Sequence, residues 1–91
     1  MTSVLDDAGR VIGIFTDGDL RRALERGVDL RSARIADVMT RSPRTIDPDK
    51  LAAEAVEIME RFKVNQMLVI GPDQKLLGAL NMHDLFRAKV I

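Results

Sequence analysis

The sequence predicts an α/β fold of two related units, small sheets with helices packed outside them, and three observations predict it. A strand–turn–strand–helix pattern occurs twice, glycine and aspartate recur at matching places in both copies, and a further strand-and-helix segment precedes the second copy. Residues 2–24 read TSVLDDAGRVIGIFTDGDLRRAL and residues 67–89 read MLVIGPDQKLLGALNMHDLFRAK, 65 residues apart and without a gap. Val4/Val69, Gly13/Gly78, Asp19/Asp84, Leu20/Leu85, Arg22/Arg87 and Ala23/Ala88 coincide, and Leu5/Ile70, Val11/Leu76, Ile12/Leu77 and Phe15/Leu80 match in apolar character. A unit of two strands and one helix cannot bury its apolar face alone. The copies are therefore expected to pack on each other, with function where their equivalent polar groups meet.

Each element has a local reason. Val4-Leu5, the polar run Asp6–Gly9 and then Arg10–Phe15 read as a hairpin. Thr16-Asp17-Gly18-Asp19 supplies capping oxygens for a helix that runs through Arg26 and stops at Gly27. Residues 27–37 lack a sustained period and read as a connector, and Asp37–Thr40 reads as a short helical turn opening the second unit. Pro43 precedes an extended Arg44-Thr45-Ile46. Asp47-Pro48 is a helix-start signal, a capping side chain before a proline at the first helical position. Leu51, Ala55, Ile58, Met59 and Phe62 fall on one apolar stripe, closed by Lys63. Met67–Ile70 reads as a buried strand, Gly71–Gln74 as a turn, Lys75–Leu80 as its partner strand, and Met82 to about Lys89 as the last helix.

Composition narrows the function. Ninety-one residues form a small core, burying about 60–65% of the unfolded chain's surface, so assembly with a second copy is a reasonable expectation. Fourteen basic and fourteen acidic residues cancel, which argues against nucleic acid as a partner, as does the presence of three aromatics alone, Phe15, Phe62 and Phe86. The absence of cysteine excludes disulfides and thiolate metal sites and fits a reducing cytoplasm. No apolar run approaches the roughly 18 residues of a membrane span, and the acidic Asp6-Asp7 departs from a signal-peptide pattern.

The element order, with Gly13-Ile14-Phe15-Thr16-Asp17-Gly18-Asp19 and Gly78-Ala79-Leu80-Asn81-Met82-His83-Asp84, resembles the cystathionine-β-synthase (CBS) domain. That family pairs its domains in tandem, as a Bateman module. By this resemblance residues 1–27 are the latter half of a first repeat, 28–37 a connector and 38–91 a complete second repeat. The counterpart of residues 40–66 would lie before residue 1, so the chain reads as starting within an N-terminally truncated first repeat, as a fragment does. Phe-Thr-Asp-Gly-Asp-Leu-Arg-Arg at 15–22 and Met-His-Asp-Leu-Phe-Arg-Ala at 82–88 are more narrowly similar to the regulatory tail of arabinose 5-phosphate isomerases of the KpsF/GutQ type, which serve Kdo and lipopolysaccharide synthesis. Nothing here matches the sugar isomerase domain, so no catalytic residue and no metal site are expected.

The resemblance implies a small-molecule site. Thr16 at a strand–helix junction can donate to a phosphate where the helix start favours an anion, and a carboxylate one turn on can accept from a ribose diol. Asp19 and Asp84 take that role by resemblance, yet both positions also read as helix caps, and both roles can hold. Asn81 stands where the motif has Thr or Ser. His83 reads as a first-turn residue and pairs with no nucleophile or second ligand. Thr45 and Ile46 would line the second pocket with Asn65, Gln66 and Met67 nearby. Arg22 and Arg87 are candidates for phosphate, while Arg21 reads as solvated. Asp47, Asp49 and Glu54 fit a helix first turn better than acid–base chemistry. The implied effector is a nucleotide or nucleotide sugar: CMP-Kdo, whose cytidine carries the diol, or an adenine nucleotide. The implied partners are the isomerase domain and a second copy in a homodimer; the alternative is a structural module that binds nothing.

Overall fold

A computed structural model describes residues 1–87 and divides into two compact units, Met1–Pro43 and Arg44 onward. The end of the last helix expected at Lys89, and the Ala88 match, lie outside the described residues.

In the first unit β1 (Thr2–Leu5) and β2 (Val11–Phe15) form an antiparallel hairpin. The Asp6 carboxylate organises the turn. It accepts from the amides of Ala8 and Arg10, each at 2.9 Å, and from the Arg10 guanidinium at 2.8 Å, while Gly9 takes φ 82°, a left-handed value that favours glycine. Helix α1 (Asp17–Glu25) follows and ends at Gly27, φ 75°. A short helix α2 (Ile35–Val38) leads into β3 (Thr40–Arg41), which pairs antiparallel with β2 through Gly13↔Arg41 and Ile14↔Thr40. Thr40, read from the sequence as the end of a short helical turn, is instead a strand residue that completes the first sheet, in the order β1-β2-β3. Gly13 is needed for this pairing, because a Cβ there would stand 2.7 Å from Met39 Sδ and 2.8 Å from the Thr40 carbonyl oxygen.

The second unit has sheet order β4-β5-β6, with β4 (Thr45–Ile46) parallel to β5 (Gln66–Ile70) and β5 antiparallel to β6 (Leu76–Asn81). A parallel pair needs a crossover, and helix α3 (Ala52–Phe62) supplies it. The Asp47-Pro48 start signal is overruled. The Asp47 carboxylate accepts from the Asp49 amide at 2.8 Å and its carbonyl from Lys50 at 3.1 Å, so the side chain builds a turn and α3 begins only at Ala52. Lys63, left-handed at φ 54°, does close the helix, its N–H donating to the Met59 carbonyl. Helix α4 (Met82–Arg87) follows β6 directly.

The core of this unit is Ile46, Ala55, Val56, Met59, Met67 and Leu85. Two members of the expected stripe stay out of it. Leu51 is 68% exposed, and Phe62 lies near the surface under the Arg44 guanidinium, 3.4 Å from its ring centroid.

The β5–β6 turn carries a local cost. Asp73 and Gln74 both adopt positive φ, 59° and 62°, the pattern of a type I′ turn that suits glycine at its second central position. Replacing Gln74 with glycine is expected to raise stability by about 0.5–1 kcal/mol, read as an upward shift of the urea midpoint. A fall in the midpoint would show that the turn conformation is otherwise.

Candidate functional site

The sequence-predicted residues of the first unit converge on one carboxylate. Thr16 caps α1 and Asp19, three residues on, completes a reciprocal capping box: the Asp19 amide donates to Thr16 Oγ1 at 3.1 Å and the Thr16 amide to Asp19 Oδ2 at 2.9 Å. Thr16 Oγ1 also donates to Oδ2, at 3.0 Å. The other oxygen, Oδ1, accepts from Arg22 Nη2 and from Thr40 Oγ1, each at 2.6 Å. Four donors thus fill the roughly four lone-pair positions of a carboxylate that is only 4% exposed. Burial alone would push the Asp19 pKa up, but the hydrogen bonds from Thr40, Arg22 and Thr16 outweigh it and hold the group below its ordinary value. The negative group at the start of α1 is therefore the chain's own carboxylate.

Gly18 lies beside this arrangement. A Cβ at position 18 would lie 3.2 Å from Arg22 Nη1, a close approach that the flexible guanidinium would relieve by shifting a few tenths of an ångström. Asp19, Arg22 and Thr40 also line a cavity of about 320 Å³, completed by Glu25, Arg26, Asp37, Val38 and Met39. That volume is at the low end of the roughly 300–1,000 Å³ of small-molecule sites.

The second copy differs. Asn81 Oδ1 caps the Asp84 amide at 2.8 Å, so the Asn that replaces Thr keeps the capping function. Asp84 and Arg87 are exposed, and among the described residues no donor reaches the Asp84 carboxylate. His83 occupies the place of Gly18, and among the described residues nothing lies within 4 Å of where a Cβ on Gly78, the counterpart of Gly13, would be.

Asp84 does not line the cavity of the second unit. Ile46 lines a separate, mainly apolar cavity of about 260 Å³ with Leu51, Ala55, Val69 and Leu80. Thr45 lies half-buried in register with Leu68, and Met67 is a core side chain at 1% exposure. Asn65 is exposed and serves through its backbone carbonyl, which accepts the Met82 amide at 2.9 Å. Among the described residues no helix is long and apolar enough to cross a membrane.

Thr40 went unnoticed in the sequence because it lies 21 residues from Asp19 and outside both copies of the repeat. Only the pairing of β3 with β2 brings it there. Arg26, Glu25 and Asp37 of the cavity were missed for a plainer reason: as surface charges they carry no pattern.

Comparison with known proteins agrees with this architecture. The model of the CBS domain matches residues 3–26 and 35–91. Over all 91 residues the chain is 54% identical to the arabinose 5-phosphate isomerase KdsD of Pseudomonas aeruginosa and 47% identical to that of Escherichia coli K12. It spans 28% and 27% of their lengths. Among solved structures, CBSX2 in complex with AMP superposes with a TM-score of 0.80 at 25% identity, covering 97% of this chain and 69% of the other. The CBS domain pair of protein MJ0100, solved with 5′-methylthioadenosine and S-adenosyl-L-methionine, gives 0.81 at 22% identity, covering 97% and 68%. The nearly complete match to the family pattern, on a fold of two small α/β sheets, places the chain in the CBS domain family.

Proposed function

We propose that this chain is the regulatory module of an arabinose 5-phosphate isomerase and that it senses a nucleotide or nucleotide sugar. The observation that carries the reading is the Asp19–Arg22–Thr40 cluster at the lip of a polar cavity, a carboxylate suited to a diol beside a guanidinium suited to a phosphate. The 54% identity to KdsD over the whole chain supports the choice of parent, whose catalysis would reside in the remainder of a protein of which this chain spans 28%. On this reading the isomerase domain is the module's partner, two copies pair, and the protein works in the cytoplasm on the route to Kdo.

CMP-Kdo is the effector we favour, since its cytidine offers the diol and its phosphate the anion. Adenine nucleotides are the rival, supported by AMP in the CBSX2 structure. A second reading, a structural module that binds nothing, draws on the saturation of Asp19 by internal donors.

Thermal melting with AMP, ADP, ATP, CMP and CMP-Kdo separates these. A ligand at 100 times its dissociation constant stabilises the fold by about 2.7 kcal/mol, a rise of roughly 10–20 °C for a domain of this size. A rise with one compound identifies the effector, and no rise with any of the five refutes sensing of these compounds.

A further inference from the structure

We propose that Thr40 sets the first unit's affinity for a vicinal diol by competing with it for the Asp19 carboxylate, so that effector binding unlatches strand β3. The inference rests on the effector reading above and names the residue that regulates that site.

Every acceptor position of Asp19 is taken, and the group is almost wholly buried. A diol brings two O–H donors, so two existing donors must leave before it can bind. The Thr16 amide belongs to the capping box, and the Thr16 hydroxyl is held at the start of α1 by accepting the Asp19 amide. The two on Oδ1 are the removable ones. The Arg22 side chain is 62% exposed and rehydrates when it swings away, at little cost.

The Thr40 hydroxyl is half-buried and attached to a strand two residues long at the sheet edge. β3 meets β2 at two positions only and ends at Ser42, left-handed at φ 50°. Such a segment opens at low free energy. The binding-competent state is the unlatched one, and apparent affinity falls by the fraction of molecules that occupy it. Thr40 is thus a positioning residue whose hydrogen bond holds the site closed.

The sign of the effect distinguishes this from direct contact. Thr40→Val keeps the β-branched shape and removes the hydroxyl, and it is expected to bind AMP or CMP about tenfold more tightly than the natural chain, by calorimetric titration. Thr40→Ser restores the donor and should bind like the natural chain. The 2′-deoxy nucleotides, lacking the diol, should gain little from Thr40→Val. In the natural chain, saturating AMP or CMP should speed hydrogen exchange at the β3 amide that bonds to β2 while leaving β1–β2 protected. Weaker or unchanged binding by Thr40→Val, with the natural chain binding normally, overturns the proposal and leaves the effector reading standing. Absence of binding by both chains overturns the two together.

Discussion

Asp19→Ala destabilises the first unit by about 2–4 kcal/mol, whereas Asp84→Ala changes stability by no more than about 0.5 kcal/mol. The two aspartates are equivalent in sequence, so the contrast comes wholly from their surroundings. Removing Asp19 strips the capping box, worth about 1 kcal/mol, and leaves the Thr16 amide and Thr40 hydroxyl without their partner in a half-buried place. The Arg22 ion pair adds little to the sum, because its guanidinium is solvated once released. Asp84 is exposed, and among the described residues its carboxylate holds nothing. Urea unfolding followed through amide resonances of each unit reads both changes separately. Equal losses for the two variants would contradict the asymmetry of the sites.

Acid should reach the same group. The folded-state pKa of Asp19 lies below its ordinary 3.8, because the hydrogen bonds from Thr40, Arg22 and Thr16 overcome the opposing effect of burial. Its stabilising contribution is therefore fully present above the unfolded value and is lost as pH falls through the folded one. The melting temperature of the first unit should drop below about pH 4, and Asp19→Asn should lose that part of the dependence.

The other large effect belongs to the second unit. Met59→Ala and Met67→Ala each cost about 2–5 kcal/mol, since both side chains are 1% exposed and sit in one core cluster. Against a typical domain stability of about 5–15 kcal/mol, either change raises the unfolded population markedly at 37 °C. The two losses should not add, because the side chains share neighbours and one cavity relaxes into the other. Leu51→Ala is the informative comparison. Its place on the apolar stripe predicted a core residue, but at 68% exposure it should change stability by no more than about 0.5 kcal/mol. A Leu51→Ala loss matching that of Met59→Ala would restore the stripe as read from the sequence.

Much of the fold was legible because its signals are local. Asp6 and Gly9 make the first hairpin turn, Thr16 and Asp19 start α1, Gly27 ends it, and Lys63 ends α3, each through contacts within five residues. The start of α3 was misread for a related reason. An aspartate before a proline can cap a helix or fold onto its own backbone, and Asp47 does the second. Of the site, Thr16, Asp19 and Arg22 were visible as a motif; Thr40 was not, since a residue 21 positions away leaves no local trace.

The sequence by itself determined the repeat, the order of strands and helices apart from β3, and the family to which the chain belongs, because these rest on spacing along the backbone and on residue type. Tertiary structure alone decided how differently the two copies are buried and bonded. Leu20 is 37% exposed and its counterpart Leu85 is 4% exposed, while Asp19 is buried and Asp84 open. Burial and hydrogen bonding depend on what is brought alongside from elsewhere in the chain. In the first unit that is β3, which carries the Thr40 hydroxyl onto Asp19, while no described residue does the same for Asp84.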